Sequence, residues 1–394
     1  MNIGMILEDE FPPDIRVEKE AQVLLSQHFN LHLLSAVKKQ EEKRKEYKGI
    51  LVEQKPIIYP NVYHHLLDKL NFLRGKETLF HKQIEQFVKR NKIEIIHAHD
   101  LPVAFVSLKI AKKLGIPIIA DLHENYPYYK LIKKRKNTKR FRYWLNIEKK
   151  VVKESNFIIT TCEEMRERIL SEHCIPSEKI YVVPNYYGGE FENIVVDKSI
   201  LEKYSQKFMI LYSGVVSLHK GIETLIKSME YLKNYPEIVL CIVGVKKNKE
   251  EFEKLAKTLH VEEKIEFIKW QPIEKTYSFY LASSVCSVPF EKNVQTDCSS
   301  PHKLFQYMQC KKPVLVSNCN SLIRIVEKSN CGFVFECGHP KDLADKILIL
   351  YKNKKLRIEM GENSARSVKN NYNFEIAGSQ LSLLYNNLTK WFKK

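Results

Sequence analysis

Short apolar runs alternate with longer amphipathic stretches along almost the whole of this 394-residue chain. Runs such as residues 3–7 have the length and composition of buried parallel strands. Stretches such as residues 15–27, with Val17, Ala21 and Leu24 on one face, have the period of helices that cover a sheet. The alternation predicts βαβ units and parallel sheets, and therefore an α/β fold.

The alternation is interrupted once, after Pro184. The next residues, 185–197, contain two glycines among mixed polar residues and show no clear period, which indicates a linker. A chain of this length also predicts two or three domains, at roughly 150 residues each. We therefore expect two doubly wound, Rossmann-like domains of comparable size, residues 1–187 and 198–373, with a cleft between them.

The composition and the cysteines narrow the class of protein. A hydrophobic fraction of 44% excludes a disordered chain, and the length excludes a disulfide-stapled miniprotein. The nine cysteines are scattered without a C-x-x-C pair, which is typical of reduced thiols in a cytoplasmic protein and unlike a zinc ribbon. The N-terminus lacks the basic region of a signal peptide, and no run approaches the roughly 20 apolar residues of a membrane span. We expect a cytoplasmic protein.

The chain is strongly basic, with 64 Lys and Arg against 47 Asp and Glu and a net charge of +17. Such a balance suggests an anionic partner. Residues 130–150 hold ten Lys or Arg and one Glu, interleaved with Phe141, Tyr143 and Trp144. Two interpretations stay open: an interfacial helix on the anionic inner face of the cell membrane, or a solvated helix whose aromatic rings pack into the core. No helix-turn-helix, zinc-finger or RNP pattern favours nucleic acid.

Residues 212–226, YSGVVSLHKGIETLI, have the pattern of a strand, a glycine-containing turn and the start of a helix at Gly221. The amide groups at a helix N-terminus bind anions. Lys220 stands just before that start and can meet a phosphate, and Gly214 lets the backbone approach it closely. The alternative is an ordinary strand-to-helix connection with a surface lysine.

A second candidate for anion binding is residues 295–318. A helix is expected to begin at Pro301, capped by Ser299 or Ser300, with His302 and Lys303 in its first turn. Cations there oppose the helix dipole unless an anion is bound, and such a conflict is expected at functional sites. Solvated side chains are the alternative.

Seven segments follow one another in a recognisable order: FPPDIRVEKEA (11–21), IIHAHDLP (95–102), DLHENYP (121–127), VVPN (182–185), YSG…HKGIETLI (212–226), FIKWQP (267–272) and PHKLFQYM…KPVLVSN (301–318). Each is weak alone, but seven in this order span nearly the whole chain. Together they resemble GT-B glycosyltransferases of family four (group 1), a retaining class that includes bacterial polysaccharide and lipid glycosyltransferases.

The resemblance implies that residues 1–187 hold the acceptor, that residues 198–373 hold the nucleotide-sugar, and that residues 374–394 form a helix crossing back to the first domain. It implies transfer with retention from a UDP- or GDP-sugar to a saccharide or lipid-linked acceptor in cell-surface polysaccharide synthesis, with no metal or other cofactor. The positions that match catalytic residues are His123, Lys220, Lys303 and Gln306; those that match donor-binding residues are Asp14, Arg16, Gly214, Lys220, Gly221, Lys303, Leu304 and Gln306.

Three positions depart from the family pattern. Cys298 and Gln306 stand where two glutamates separated by seven residues are usual, and Val215 stands where an arginine is usual. Gln306 can still hydrogen-bond donor hydroxyls. Because neither of those two positions supplies a carboxylate nucleophile, we expect front-face retention instead of double displacement. The alternatives are a catalytically silent nucleotide-sugar-binding protein of GT-B fold and a sugar-nucleotide epimerase.

Other interpretations concern single polar residues. His123 can face the transferred sugar, held by Glu124, or serve as a structural loop histidine. Asp14 can cap a helix and Arg16 can form a surface ion pair. The His97-x-His99-Asp100 pattern resembles metal ligands, but two histidines two apart on a strand are weak evidence, and we expect no metal. Finally, Trp270 fits a stacking position near the base and a core position equally well.

Overall fold

The computed structural model describes residues 1–37, 42–57, 62–73, 78–133, 138–189, 191–216, 220–246 and 249–392. The chain divides into two compact units. The first unit consists of Met1–Pro184 and Ala377–Lys394, so it contains both ends of the chain. The second is the continuous stretch Asn185–Ile376.

An eight-stranded sheet forms the centre of the first unit. Its strands are β1 (Asn2–Leu7), β2 (Asn30–Val37), β3 (Lys43–Tyr47), β4 (Ile50–Pro56), β5 (Ile95–His99), β6 (Ile118–Leu122), β7 (Phe157–Thr160) and β8 (Ile180–Val182). Their order is β3-β4-β2-β1-β5-β6-β7-β8; β3 pairs antiparallel with β4, and the other described pairs are parallel. The winding direction reverses between β1 and β5, and doubly wound domains bind ligands at the carboxyl edge of such a reversal.

Helices connect these strands and cover the sheet. The most deeply buried is the one that follows β5, because nearly every residue of its first three turns is apolar. The final helix of the chain packs in this unit, where the hydroxyl of Tyr385 lies 2.9 Å from Nδ1 of His97 on β5. The helices are α1 (Ile15–Ser26), α2 (Val62–Leu73), α3 (Leu79–Arg90), α4 (Leu101–Leu114), α5 (Tyr126–Lys133), α6 (Thr138–Glu154), α7 (Glu163–His173) and, last along the chain, α17 (Phe374–Phe392).

A six-stranded sheet forms the centre of the second unit. Its strands are β9 (Phe208–Ser213), β10 (Ile238–Val245), β11 (Ile265–Lys269), β12 (Val285–Val288), β13 (Val314–Ser317) and β14 (Gly332–Phe335). They are parallel and ordered β11-β10-β9-β12-β13-β14, which is the order of a dinucleotide-binding Rossmann domain. The reversal lies between β9 and β12, so a ligand is expected at the carboxyl ends of these two strands.

Two buried apolar clusters fill this second unit. The predicted linker residues 185–197 pack against one of them: the ring of Tyr186 lies 4.9 Å from that of Phe305 and 5.3 Å from that of Tyr372. The helices are α8 (Lys198–Tyr204), α9 (Ile222–Ser228), α10 (Lys249–Thr258), α11 (Ile273–Ala282), α12 (Val294–Asp297), α13 (His302–Gln309), α14 (Asn320–Ser329), α15 (Pro340–Lys352) and α16 (Lys354–Asn371), with a 3₁₀ turn, Met229–Leu232, continuing α9.

The expected doubly wound α/β class is confirmed in both units. The strand expected at 93–97 lies two residues later, at β5. Among the described residues, no helix combines the length and the apolar character that a membrane span requires.

Candidate functional site

Two glycines shape the carboxyl edge of the second sheet, where β9 and β12 end. Gly221 has φ +70°, and a Cβ there would lie 1.6 Å from the carbonyl oxygen of Pro289, so only glycine fits this close approach. Gly214 has φ +124°, and a Cβ there would lie 2.7 Å from Nζ of Lys303. The backbone after β9 is therefore pressed against the backbone after β12 on one side and against a lysine ammonium group on the other.

The two lysines predicted to meet phosphate converge at this point. Nζ of Lys220 lies 4.5 Å from the centroid of the Phe290 ring, and Nζ of Lys303 lies 6.0 Å from the same centroid. Lys303 also lies 4.0 Å from the ring centroid of Tyr212 on β9. We call Gly214, Lys220, Gly221 and Lys303 the lysine site.

Within the lysine site, the charge of Lys303 is electrostatically unfavourable. Lys303 is partly buried, and burial together with the charge of Lys220 holds its pKa well below the ordinary value. Among the described residues, no carboxylate lies within ion-pair distance of Lys303. A bound anion would relieve both the desolvation of Lys303 and its repulsion from Lys220, so the arrangement is suited to a phosphate or diphosphate.

Helix α13 begins at His302, and Pro301 is its N-cap residue without a side-chain hydrogen bond. The predicted cap by Ser299 or Ser300 is therefore wrong, and the helix begins one residue later than expected. The conflict between Lys303 and the helix dipole remains, because Lys303 lies in the first turn, where the amide groups favour negative charge.

Leu304 and Gln306 belong to the same helix but face the core. The side chain of Leu304 is fully buried, and its amide donates to the carbonyl of Pro301 at 3.0 Å. The amide oxygen of Gln306 accepts a hydrogen bond from the hydroxyl of Tyr280 at 3.3 Å, and that hydroxyl lies 3.3 Å from Oγ of Ser213. Gln306 is thus part of a buried polar network. A contact of Leu304 or Gln306 with the nucleotide-sugar stays a prediction.

The departures from the family pattern occupy different environments. Cys298 is buried, whereas Val215, where an arginine was expected, is 71% exposed. Trp270 is 59% exposed, with Nζ of Lys246 lying 5.4 Å from its ring centroid, so the core interpretation of this tryptophan is wrong.

The first unit contains a cluster of buried charged and imidazole groups at the carboxyl ends of β5 and β6. Asp121 lies at its centre, with Oδ2 2.8 Å from Nε2 of His123 and 3.1 Å from Nδ1 of His99. The guanidinium of Arg16 donates to both oxygens of Asp121, at 2.7 and 3.3 Å. We call Arg16, Glu20, His97, His99, Asp121 and His123 the histidine cluster.

Arg16 and Asp14 have structural partners within this unit. Arg16 also donates to the carbonyl of Val183 at 2.8 Å and lies 2.9 Å from Glu20. Burial opposes its charge, but Asp121 and Glu20 outweigh burial and raise the pKa of Arg16. The surface ion pair considered for Arg16 is therefore wrong, because the pair is buried. Asp14 caps α1 by accepting from the amide of Val17 at 3.1 Å, as one of the two interpretations expected. A contact of either residue with ligand stays a prediction.

His123 is the most exposed member of the cluster, with 15% of its side chain exposed. Burial opposes its charged form, but Asp121 and Asp100 outweigh burial and raise its pKa to about 9. Burial lowers the pKa of His97, and burial together with His97 lowers that of His99 to about 3. The cluster therefore holds two neutral imidazoles and presents one imidazolium, that of His123. Asp121 holds this imidazolium, a role that was expected of Glu124.

Two further observations bear on the chemistry of this cluster. Ligand atoms of Glu20, His97, His99 and Asp121 lie within 4.8 Å of one another, but the guanidinium of Arg16 already pairs with both carboxylates and supplies positive charge there. Asp100, directly after β5, has φ +68° although it is not glycine, and such strain is concentrated at functional positions.

A pocket of about 620 Å³ opens near the carboxyl ends of β1 and β2 in the first unit. Glu8, Asp9 and Glu10 form an acidic part of its lining, and apolar residues of α2 and α4, such as Phe72 and Val103, form other walls. Its position beside the β1–β5 reversal is where an α/β domain binds a ligand.

The basic stretch is divided between α5 and α6, with residues 134–137 outside the described residues. Trp144 is buried and its ring lies 4.6 Å from that of Tyr126, while the ring of Phe141 lies 5.0 Å from that of Tyr128. These contacts confirm that aromatic rings of the stretch pack into the unit.

Sequence reasoning missed Phe290 and the role of Asp121. Phe290 follows β12 in a PF dipeptide and resembles an ordinary core residue, although the end of a central strand was a usable signal. Asp121 ends a predicted strand directly before the His123 segment. Its role was not predictable, because the cation that pairs with this buried carboxylate is distant in the sequence.

Two family models match the chain, one to each half. "Glycosyltransferase Family 4" matches residues 17–186, and "Glycosyl transferases group 1" matches residues 195–367. The chain belongs to the group 1 glycosyltransferases.

Relatives of this glycosyltransferase include a glycosyltransferase of Methanocaldococcus jannaschii, which is 25% identical over 294 residues, or 72% of this chain and 71% of the relative. The capsular polysaccharide biosynthesis glycosyltransferase CapM of Staphylococcus aureus is 25% identical over 242 residues, or 59% of this chain and 62% of CapM.

Solved structures share the fold of this glycosyltransferase over nearly its whole length. Sucrose-phosphate synthase from Thermosynechococcus elongatus has a TM-score of 0.78 at 16% identity, covering 99% of both chains. HepE of Anabaena in complex with UDP has a TM-score of 0.74 at 14% identity, covering 98% of this chain and 100% of HepE. With these neighbours, the expected GT-B class is confirmed.

Proposed function

We propose that this glycosyltransferase transfers a sugar, with retention, from a nucleoside-diphosphate sugar to a saccharide or lipid-linked acceptor in cell-surface polysaccharide synthesis. The observation that carries the proposal is the lysine site, where Lys220 and Lys303 converge beside Phe290 at the reversal of the second sheet. The UDP complex of HepE supports a uridine donor, with a guanosine donor as the alternative, and the name of CapM supports polysaccharide synthesis.

The lysine site would act on the leaving group. As the bond between the sugar and the diphosphate breaks, negative charge grows on the diphosphate oxygen. Lys220, Lys303 and the amide groups at the start of α9 neutralise that charge, and preorganised donors of this kind have their largest effect in the transition state. The two ammonium groups supply as much positive charge as a divalent cation, so we propose that transfer is independent of metal.

Retention is implied by the family resemblance, and the residues at two positions favour one route to it. A double displacement needs a carboxylate against the anomeric carbon, and Cys298 and Gln306 replace the two family glutamates. In the proposed step the anomeric C–O bond to the diphosphate breaks and the acceptor hydroxyl attacks from the same face. The hydroxyl proton passes to the departing phosphate oxygen, so no protein base is required.

The first unit would hold the acceptor. The pocket beside β1 and β2 has room for a sugar and offers carboxylates to its hydroxyls. His123 would donate a hydrogen bond to a hydroxyl of the transferred sugar, because its imidazolium is fixed by Asp121 and partly exposed. We place the enzyme in the cytoplasm, at the inner face of the cell membrane, where the exposed cations of α6 can meet anionic lipid.

The second candidate is a catalytically silent nucleotide-sugar-binding protein. It is favoured by the replacements at Val215, Cys298 and Gln306, and by the hydrogen bond that commits the amide oxygen of Gln306 to Tyr280. Such a protein would bind the donor without breaking it.

One pair of experiments separates these candidates. A thermal-shift screen with UDP-, GDP-, ADP- and CMP-sugars should raise the melting temperature with one nucleotide class, because selective binding stabilises the folded state. Slow release of the nucleoside diphosphate without acceptor then indicates intact chemistry, whereas binding without release indicates the silent protein. If none of the four nucleotide-sugars raises the melting temperature, both candidate functions are refuted.

A further inference from the structure

Both lysines of the lysine site lie beside the loop that follows β12. Phe290 of this loop is 2% exposed, and its ring centroid lies 4.5 Å from Nζ of Lys220 and 6.0 Å from Nζ of Lys303. The carbonyl of Pro289, the preceding residue, is the group that leaves no room for a Cβ at Gly221. A shift of this loop would therefore change the geometry of the whole lysine site.

Lys292, two residues further along, joins this loop to the end of the neighbouring strand β13. Its ammonium group donates to Oδ1 of Asp297 at 3.1 Å, to the carbonyl of Asn318 at 2.6 Å and to Oδ1 of Asn320 at 3.1 Å. Its backbone amide donates to Sγ of Cys337, which follows β14, at 3.1 Å. We call Lys292, Asp297, Asn318 and Asn320 the Lys292 network.

The network engages the full donor capacity of the Lys292 ammonium group. Such a group carries three N–H donors and no acceptor. Three oxygens of the network accept from it, one for each donor. Lys303 differs, because burial and the charge of Lys220 both oppose its charge. Lys303 is therefore suited to binding an anion, whereas Lys292 is suited to fixing the loop.

The rest of the loop is ordered by its own contacts. Asn293 caps α12 in a reciprocal capping box with Thr296. The hydroxyl of Thr296 also donates to the carbonyl of Glu291 at 2.6 Å. Oδ1 of Asp297, at the end of α12, accepts from the amide of Asn320 at 2.9 Å. The segment 291–297 is thus one ordered turn, and the Lys292 network attaches that turn to β13 and α14.

We propose that Lys292 is a positioning residue of the lysine site. By fixing the loop, its ammonium group holds Pro289 and Phe290 in the arrangement that the diphosphate requires before any nucleotide is bound. Donors that are already in place need no rearrangement when the leaving group gains charge, and this preorganisation makes them effective. The proposal rests on the proposed function, because it concerns the site that is assigned there to the diphosphate.

Calorimetric titration of the full chain with UDP and with GDP tests this role. Lys292→Met keeps the length of the side chain but donates to none of the three oxygens. The loop then holds its binding-competent arrangement for only part of the time, and the apparent affinity falls in proportion. We expect the affinity for the nucleotide that native protein binds to fall about tenfold. Unchanged affinity would overturn the proposal.

A double-mutant cycle separates positioning from direct contact with the nucleotide. Asn320→Ala removes one of the three acceptors and should weaken affinity about threefold. Lys292→Met combined with Asn320→Ala should bind no more weakly than Lys292→Met alone, because both substitutions break the same network. If the two losses multiply, or if Asn320→Ala has no effect, Lys292 acts on the nucleotide directly and the proposal is wrong.

Alkylation of Cys319 reports on the loop without any nucleotide. Cys319 is fully buried, and its Sγ lies 4.0 Å from the carbonyl oxygen of Phe290. Iodoacetamide should label Cys319 about tenfold faster in Lys292→Met than in native protein, as measured by mass spectrometry, because the loop opens more often. Weaker nucleotide binding with Cys319 still protected would refute the proposal.

Lys311→Met is the matched control for both measurements. Lys311 is another exposed lysine of the second unit, and its ammonium group pairs with Glu362 at 3.1 Å. It lies shortly before β13 begins, at the edge of the sheet opposite to the lysine site. Its substitution should therefore change neither nucleotide affinity nor the labelling of Cys319.

The two measurements distinguish failure of this proposal from failure of the proposed function. If native protein binds neither UDP nor GDP while Lys292→Met speeds the labelling of Cys319, the donor site is refuted and the fixing of the loop by Lys292 stands. If native protein binds nucleotide while Lys292→Met changes neither binding nor labelling, the proposed function stands and the role of Lys292 is refuted.

Discussion

The substitution Lys303→Met should make the free protein no less stable while weakening its binding of nucleotide. In the free protein, burial and Lys220 both oppose the charge on Lys303. The contact of its ammonium with the ring of Tyr212, at 4.0 Å, compensates by about 0.5–2 kcal/mol. Methionine fills a similar volume without a charge, so the free energy of unfolding should stay equal or rise by about 1 kcal/mol.

The effect of Lys303→Met on nucleotide should have the opposite sign. A hydrogen bond between an ammonium group and a phosphate contributes about 1.5–3 kcal/mol, so affinity for UDP or GDP should fall by a factor of roughly 10 to 150. Turnover should fall further, by about 10²–10³, because charge on the leaving diphosphate is largest in the transition state. Lys220→Ala should lower turnover by about 10² or more for the same reason.

Urea unfolding without nucleotide and calorimetry with nucleotide at low ionic strength measure the two effects separately. Lys312→Met is a suitable control, because Lys312 is another partly buried lysine of this unit and donates to the carbonyls of Leu281 and Ser283 at 2.8 and 2.7 Å. Its loss should destabilise the protein and leave nucleotide affinity unchanged. If Lys303→Met instead behaves like Lys312→Met, the lysine site holds no phosphate and the reasoning fails.

Three other substitutions test the histidine cluster and the glycine turn. Asp121→Asn should lower the pKa of His123 from about 9 toward its ordinary value, so the part of the pH–turnover profile that depends on the imidazolium should end at lower pH; an unmoved profile would show that His123 takes no part. The stabilisation that the imidazolium gives is complete below its ordinary pKa of 6.5 and is lost as the pH rises through about 9, so native protein should lose more stability over that interval than Asp121→Asn in urea unfolding. Arg16→Met leaves Glu20 without its ion pair and Asp121 with the His123 imidazolium as its remaining cation, and it should lower the free energy of unfolding by about 3–5 kcal/mol; a loss under 1 kcal/mol would mean that the cluster is solvated. Gly221→Ala should abolish nucleotide binding in calorimetry, since its Cβ would lie 1.6 Å from a carbonyl oxygen, and retention of native affinity would contradict the proposed backbone geometry.

Features set by local rules were predictable from the sequence. The two lysines of the lysine site could be predicted because each pattern lies within a few residues of sequence. One pattern is a cation in the first turn of a helix, and the other is a lysine and a glycine directly before a helix. The edge strand β3, of sequence KRKEY, was missed because its polar residues do not alternate and it pairs on one side only.

Features set by contacts distant in sequence were not predictable. Arg16 looked like a loop residue with a ligand or a surface partner, yet its partner Asp121 is 105 residues away. The role of Phe290 depends on the close approach of Gly221 to the carbonyl of Pro289. This contact joins the start of α9 to the residue after β12, and no periodicity within either segment predicts it.

The position of α17 has a consequence for how the chain matures on the ribosome. Tyr385, which reaches His97, is synthesised only after the entire second unit, so the second unit can complete its core while the first still lacks an element. During that interval the surface later covered by α17 lacks its apolar partner, because Leu381, Leu384 and Leu388 of α17 are fully buried in the finished fold. We expect the surroundings of His97 to be completed only after α17 has been synthesised, not when the earlier part of the first unit emerges.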